Sequence, residues 1–205
     1  MLANDPLNLC SDEELLTRLR NGEREVFGAL VRRYQRELYG YLRRYLGDAH
    51  LADDVFQATF LQVYIKIGQY EPGRAFRPWL YTIATHQAID AMRRTGRQAM
   101  VSLEQAKSEG ENGEIRSLVE MLEARDSGPL RQAVQDESCE QVRAAVTRLP
   151  ELMRQVVILV YYQGLKYREV ADILDVPVGT VKSRLHTALL KLQESWTETP
   201  SLPEM

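Results

Sequence analysis

Apolar positions recur at spacings of three and four along both ends of the chain, and no stretch alternates with the period of two that a half-buried strand requires. Ser11 followed by Glu14 has the form of a capping box and predicts a short helix ending near Gly22. From residue 23 to residue 46 the apolar set is Val26, Phe27, Leu30, Val31, Tyr34, Leu38, Tyr41, Leu42 and Tyr45, a helical stripe with Gly47 as its stop. A third helix is predicted over residues 49–67, with Leu51, Val55, Phe56, Phe60 and Val63 on one face. Glu71-Pro72-Gly73 marks a turn, and Pro78 opens a fourth helix that runs to Arg94 before Gly96. Further helices are predicted over residues 138–149, 151–163, 167–174 and 179–195, punctuated by Pro150, Gly164 and Asp175-Val-Pro-Val.

Between these blocks the pattern fails. Residues 97–137 are acidic and carry Glu109-Gly-Glu-Asn-Gly and Ser127-Gly-Pro, too little apolar surface to offset the entropy of ordering. Ile115, Leu118, Val119 and Leu122 have the spacing of one short amphipathic helix inside this linker. The expected architecture is all-α: a helical domain over residues 1–96, a polar flexible linker over 97–137, a second helical domain over 138–195 and a tail over 196–205.

Charge refines this picture. The 205 residues carry a formal net charge of −3, which argues against strong nonspecific DNA binding by the free protein. The acidity is concentrated, however: residues 96–140 carry five basic and ten acidic side chains, whereas residues 1–95 carry 13 and 12 and residues 141–205 carry 8 and 7. Both flanking blocks can therefore display basic faces. The opening residues, Met1-Leu-Ala-Asn-Asp-Pro, lack a basic leader with an apolar core. The longest apolar stretch, Val156 through Tyr162, is about a third of a membrane span. Cys10 and Cys139 are far apart and belong to no CxxC pair. These features predict an intracellular, cytoplasmic protein without membrane insertion.

The segment beginning at Tyr167 has the form of a helix-turn-helix. Val170, Ala171 and Leu174 point inward from the first helix, Val176 sits in the turn, and Val181, Leu185 and Leu189 pack the second. That second helix turns Thr180, Lys182, Ser183, Arg184, His186, Thr187 and Lys191 outward, and residues 178–193 contain no acid. Donors of this kind suit phosphates and base edges in a major groove, whereas a solvated charged helix closing a bundle is the plainer alternative.

In the first block, Asp53-Asp-Val-Phe-Gln-Ala-Thr-Phe-Leu-Gln-Val-Tyr precedes Phe76-Arg-Pro-Trp-Leu-Tyr-Thr-Ile-Ala-Thr-His-Gln-Ala-Ile-Asp-Ala-Met-Arg-Arg, and Gly-Thr-Val-Lys-Ser-Arg-Leu follows in the second. In this order the blocks closely resemble extracytoplasmic-function (ECF) sigma factors of the sigma-70 family, over about residues 12–96 and 138–194. The resemblance implies a non-enzymatic subunit that directs RNA polymerase to promoters. Its first domain would hold the −10 element, and its second would read the −35 element as duplex. It implies that Asp53, Asp54, Gln57 and Phe60 dock on the β′ clamp of core RNA polymerase, the β subunit being a further contact. Asp53 and Asp54 serving only a helix N-terminus, and Phe60 serving the core, are the competing roles. For the −10 strand it implies Trp79, Tyr81, His86, Asp90, Arg93 and Arg94, together with the loop 69–74; core packing is the alternative for Trp79 and Tyr81. An anti-sigma factor is an implied partner.

The sequence departs from the usual family pattern at His86, commonly Asn, at Thr82 and Thr85, often basic, and at Ala58, usually Glu. A neutral imidazole donates and accepts, so His86 retains the means to read a base. Neither a cofactor nor a metal is expected: there is no glycine-rich phosphate loop, and His86 with Asp90 is a lone pair of potential ligands. The alternative function is a helix-turn-helix repressor or activator acting without polymerase, which leaves the first block unexplained.

Overall fold

The computed structural model describes residue 7, residues 9–96 and residues 142–197, with side chains to residue 194. The expected linker, its short helix and the tail lie outside these residues. The chain separates into two compact units, and every regular element among the described residues is helical.

In the first unit α1 spans Asp12–Arg20, and its capping box forms as the sequence predicts: Glu14 N–H donates to Ser11 Oγ at 3.1 Å, and Ser11 N–H donates to a Glu14 carboxylate oxygen at 2.7 Å. A 3-10 turn, Arg24–Val26, leads into α2, Phe27–Leu46, which stops at Gly47 with φ +70°. Asp48 then caps α3, Ala49–Lys66, accepting from Leu51 N–H at 3.0 Å. After a second 3-10 turn, Ile67–Gln69, α4 runs Phe76–Arg94. It starts two residues before Pro78 because Phe76 is an anchor: its ring is 1% exposed and lies edge-on to Tyr34 at 5.3 Å. Pro78 remains in the first turn, where its missing N–H costs nothing.

Helix α3 packs against both α2 and α4, and α1 lies on α2. The centre is aromatic. Tyr41 stacks on Tyr45 at 5.9 Å and meets Tyr81 edge-on at 5.1 Å, and all three are fully buried. Their hydroxyls need partners to be buried without loss. Tyr41 shares a 2.8 Å hydrogen bond with Thr85, and Tyr81 donates to Glu37 Oε1 at 2.9 Å. Glu37 also accepts from the Arg77 guanidinium, whose Nε lies at 2.8 Å. Thr85, where the family often has a basic residue, is therefore a core position here.

The second unit contains α5, residues 142–148, then α6, Glu151–Val157, which widens into a π-helical turn over Ile158–Tyr162 rather than continuing regularly. The wider turn is closed by Gln163 N–H donating to Ile158 O at 3.1 Å. Next come α7, Tyr167–Leu174, and α8, Val178–Thr197. Helix α8 packs on α6 through a buried row of Val181, Leu185, Ala188, Leu189 and Leu192.

Candidate nucleic-acid and polymerase interfaces

The turn between α7 and α8 fixes the recognition helix. Glu169 accepts from Lys166 N–H at 2.7 Å at the start of α7. At its end Asp175 adopts the left-handed region, φ 51° and ψ 51°, and Val176 N–H reaches back to Ala171 O at 3.1 Å. Pro177 O then accepts from Thr180 N–H at 2.9 Å and Val181 N–H at 3.2 Å, starting α8 within two residues of the end of the previous turn. Val170 and Ala171 are buried as expected; Leu174 is only half-buried, and Ile173 is the fully buried side chain instead.

On α8 the side chains of Lys182, Ser183, His186 and Lys191 are exposed, and Thr180, Arg184 and Thr187 are half-buried. Two of the expected donors are turned back on the helix: Ser183 Oγ donates to Thr180 O at 3.1 Å, and Thr187 Oγ1 donates to Ser183 O at 3.0 Å. Their oxygens still accept, but donation to a phosphate requires a rotamer change. Arg184 is shifted down from the ordinary guanidinium value by desolvation and stays charged.

On α3, Asp53, Asp54 and Gln57 are exposed. The two aspartates lie beyond the first turn, and Asp48 already caps the helix, so N-terminal stabilisation is not their principal use. Phe60 corrects the expectation of a protruding aromatic. It is 5% exposed and wedged edge-on between Phe56 at 5.0 Å and Phe27 at 6.1 Å. The apolar side chains that do project are Leu61 and Ile65, one turn apart and 58% and 61% exposed. The sequence pattern missed them because α3 is apolar on nearly every face, so periodicity alone could not say which face is covered.

On α4, Tyr81 is likewise core and not an aromatic free to stack on a base. Burial, then the charge of Glu37 and the hydrogen bond to it, drive its hydroxyl far above the ordinary tyrosine value. Trp79 is half-buried, edge-on to Tyr70 at 5.1 Å. His86, Asp90, Arg93 and Arg94 are all exposed along the same helix. Asp90 lies 3.9 Å from Arg93, and Arg94 Nε donates to the Asp90 carbonyl at 3.2 Å, so the carboxylate tempers one cation of a basic track. Thr82 donates to Pro78 O at 2.9 Å. Among the described residues no group of three or more His, Cys, Asp or Glu side chains is arranged to hold a metal ion, and no helix is long and apolar enough to cross a membrane.

One helical unit with an acid-bearing helix beside a basic one, and a second with a helix-turn-helix whose projecting cations lie in an acid-free stretch over residues 178–193, define a two-domain DNA-binding protein. Family models for sigma-70 region 2 and for sigma-70 region 4 match residues 30–98 and 139–192. The chain is 30% identical over 171 residues to the ECF RNA polymerase sigma factor SigW of Bacillus subtilis, covering 83% of this chain and 89% of that protein. It is 32% identical over 178 residues to the ECF RNA polymerase sigma-E factor of Escherichia coli K12, covering 87% and 90%. This chain belongs to the ECF family of sigma-70-type RNA polymerase sigma factors, non-enzymatic subunits that give the polymerase its promoter specificity. The fold is shared with CnrH, solved with the cytosolic domain of CnrY, at a TM-score of 0.64 and 23% identity over 92% of this chain and 99% of that one. It is also shared with the sigma factor RpoE of Bartonella quintana, solved with the anti-sigma factor NepR, at a TM-score of 0.59 and 23% identity over 85% and 98%.

Proposed function

We propose that α8 enters the major groove of a −35 element, that α4 and the loop before it hold the unpaired −10 strand, and that the exposed edge of α3 docks on the β′ clamp of core RNA polymerase. The observation that carries this is the coincidence of exposure and charge on α8: Lys182, His186 and Lys191 project from a helix without acid over residues 178–193. A single such helix fills one groove, and the other donors lie within reach of the flanking phosphates. At the −10 element, His86 takes the place of a base-reading amide, with Arg93 and Arg94 following the backbone. At the polymerase, Asp53, Asp54 and Gln57 supply charge and hydrogen bonds, and Leu61 with Ile65 supply the apolar contact that Phe60 does not.

The role is stoichiometric positioning. Polymerase carries catalysis and most of the affinity, and the segment between the two units lets two modest DNA contacts act on one molecule through effective concentration. The site of action is the cytoplasm, where polymerase and promoter meet, and an anti-sigma factor is the expected partner, as the Bartonella quintana protein is solved in complex with one. Reconstitution with core polymerase, followed by mapping of transcript starts across the host genome, tests the reading. Starts sharing −10 and −35 elements support it; a chain that does not join core polymerase, or does not move its starts, removes it.

A further inference from the structure

The loop between α3 and α4 is built as a rigid turn. The 3-10 turn Ile67–Gln69 packs against α1 and hands over to Tyr70, whose N–H donates to Ile67 O at 3.2 Å. Pro72 and Gly73 then reverse the chain, with Gly73 at φ +89° and Arg74 N–H donating back to Glu71 O at 3.3 Å. Proline followed by a glycine of positive φ is the pattern of a type II turn. A Cβ on Gly73 would meet nothing within 4 Å, so the glycine serves the backbone angle and not the available space.

Residues 71–74 are all exposed, whereas Tyr70 beneath them is 4% exposed. Its ring lies edge-on to Trp79 at 5.1 Å and to Phe76 at 6.4 Å, and its hydroxyl donates to the carbonyl of Arg74, the last residue of the turn. A phenylalanine would supply the same ring contacts. The hydroxyl adds one thing only, a tether from the aromatic core to the far end of the turn. Desolvation, then the nearby carboxylates of Glu13 and Asp12, hold the phenol above the ordinary tyrosine value, so it remains a donor at any physiological pH.

We infer that Tyr70 is a positioning residue for −10 strand capture: its hydroxyl locks the 71–74 turn beside Trp79, so that the edge receiving an unpaired base is ordered before DNA arrives. The inference rests on the assignment of this loop and α4 to the −10 strand, and adds the atom that fixes the loop. Ordering a single strand already costs freedom, and a turn that is rigid beforehand adds nothing to that cost.

The test uses holoenzyme assembled from core polymerase and the Tyr70→Phe or Gly73→Ala chain, on a promoter found by mapping transcript starts. Permanganate reactivity of −10 thymines reports opening, and a second template with a substituted −10 base reports discrimination. Tyr70→Phe is expected to lower opening about fivefold, the scale of one lost hydrogen bond, and to narrow discrimination. Core affinity and −35 binding stay unchanged, and the thermal midpoint falls only by the few degrees that one lost hydrogen bond or one strained residue costs. Gly73→Ala, which strains the turn, gives the same pattern. Wild-type opening and discrimination by Tyr70→Phe, with Gly73→Ala impaired, overturns the tether and leaves the loop assignment standing. Wild-type behaviour by both removes the loop assignment and the tether with it. A Tyr70→Phe chain that loses core affinity along with opening has a general packing role, which also overturns the inference.

Discussion

Asp175 holds a backbone conformation that L side chains reach at a cost of roughly 1–2 kcal/mol, softened for aspartate by local hydrogen bonding. Glycine removes that cost while giving the unfolded chain more freedom, so Asp175→Gly should raise stability by a net of about 0.5–1 kcal/mol, read as a higher urea midpoint with unchanged slope. Thr85 is the opposite case. Its hydroxyl hydrogen-bonds the fully buried Tyr41 hydroxyl, so Thr85→Val, nearly isosteric, strands a buried polar group and should cost about 1–3 kcal/mol. An unchanged urea midpoint would show that the pair contributes nothing. His86 is exposed and free of such packing duty, so His86→Asn should leave stability alone and shift −10 preference in run-off transcription.

At the scale of the element, α8 is a helix whose two sides answer to different physics. The row from Val181 to Leu192 is held by burial, and its removal unfolds the unit; the exposed row is the one proposed to meet DNA. Lys182→Ala should weaken promoter binding by about 1–3 kcal/mol if the contact is to a base edge, with loss of preference at that position. A phosphate contact instead weakens all sequences alike and flattens the salt dependence, so one titration at several salt concentrations separates the two. Arg184, half-buried and already partly desolvated, is expected to be the more sensitive of the two cations, since its stem also packs. The α3 surface follows the same division: Phe60 belongs to the fold, and Leu61 with Ile65 to whatever covers them.

For the molecule as a whole, the first unit carries a cluster of tyrosines whose burial disfavours ionisation while it is folded. Burial pushes Tyr41 and Tyr81 well above the ordinary tyrosine range. A folded value raised above the unfolded one means stability that is complete below about pH 10 and is lost as the pH rises beyond it. Thermal melts from pH 8 to pH 11 should show the first unit's midpoint falling above about pH 10. The exposed ion pair Arg18–Glu23 on this unit adds little to that balance.

Periodicity, caps and breakers determined the helices, because a 3.6-residue stripe, Ser11 with Glu14, and Gly47 are statements about local backbone geometry that hold wherever the helix ends up. The order of two motif blocks determined the family, and the acid-free stretch over residues 178–193 singled out the helix proposed to face DNA. Tertiary structure alone decided which aromatic is free. For Phe60 and Tyr81 the sequence left surface and core roles both open, and only the approach of Phe27, Phe56, Tyr41 and Glu37 removes them from the surface. It also decided that Tyr70 tethers a turn four residues away, since a hydroxyl's partner is set by where the chain comes back and not by the letters between.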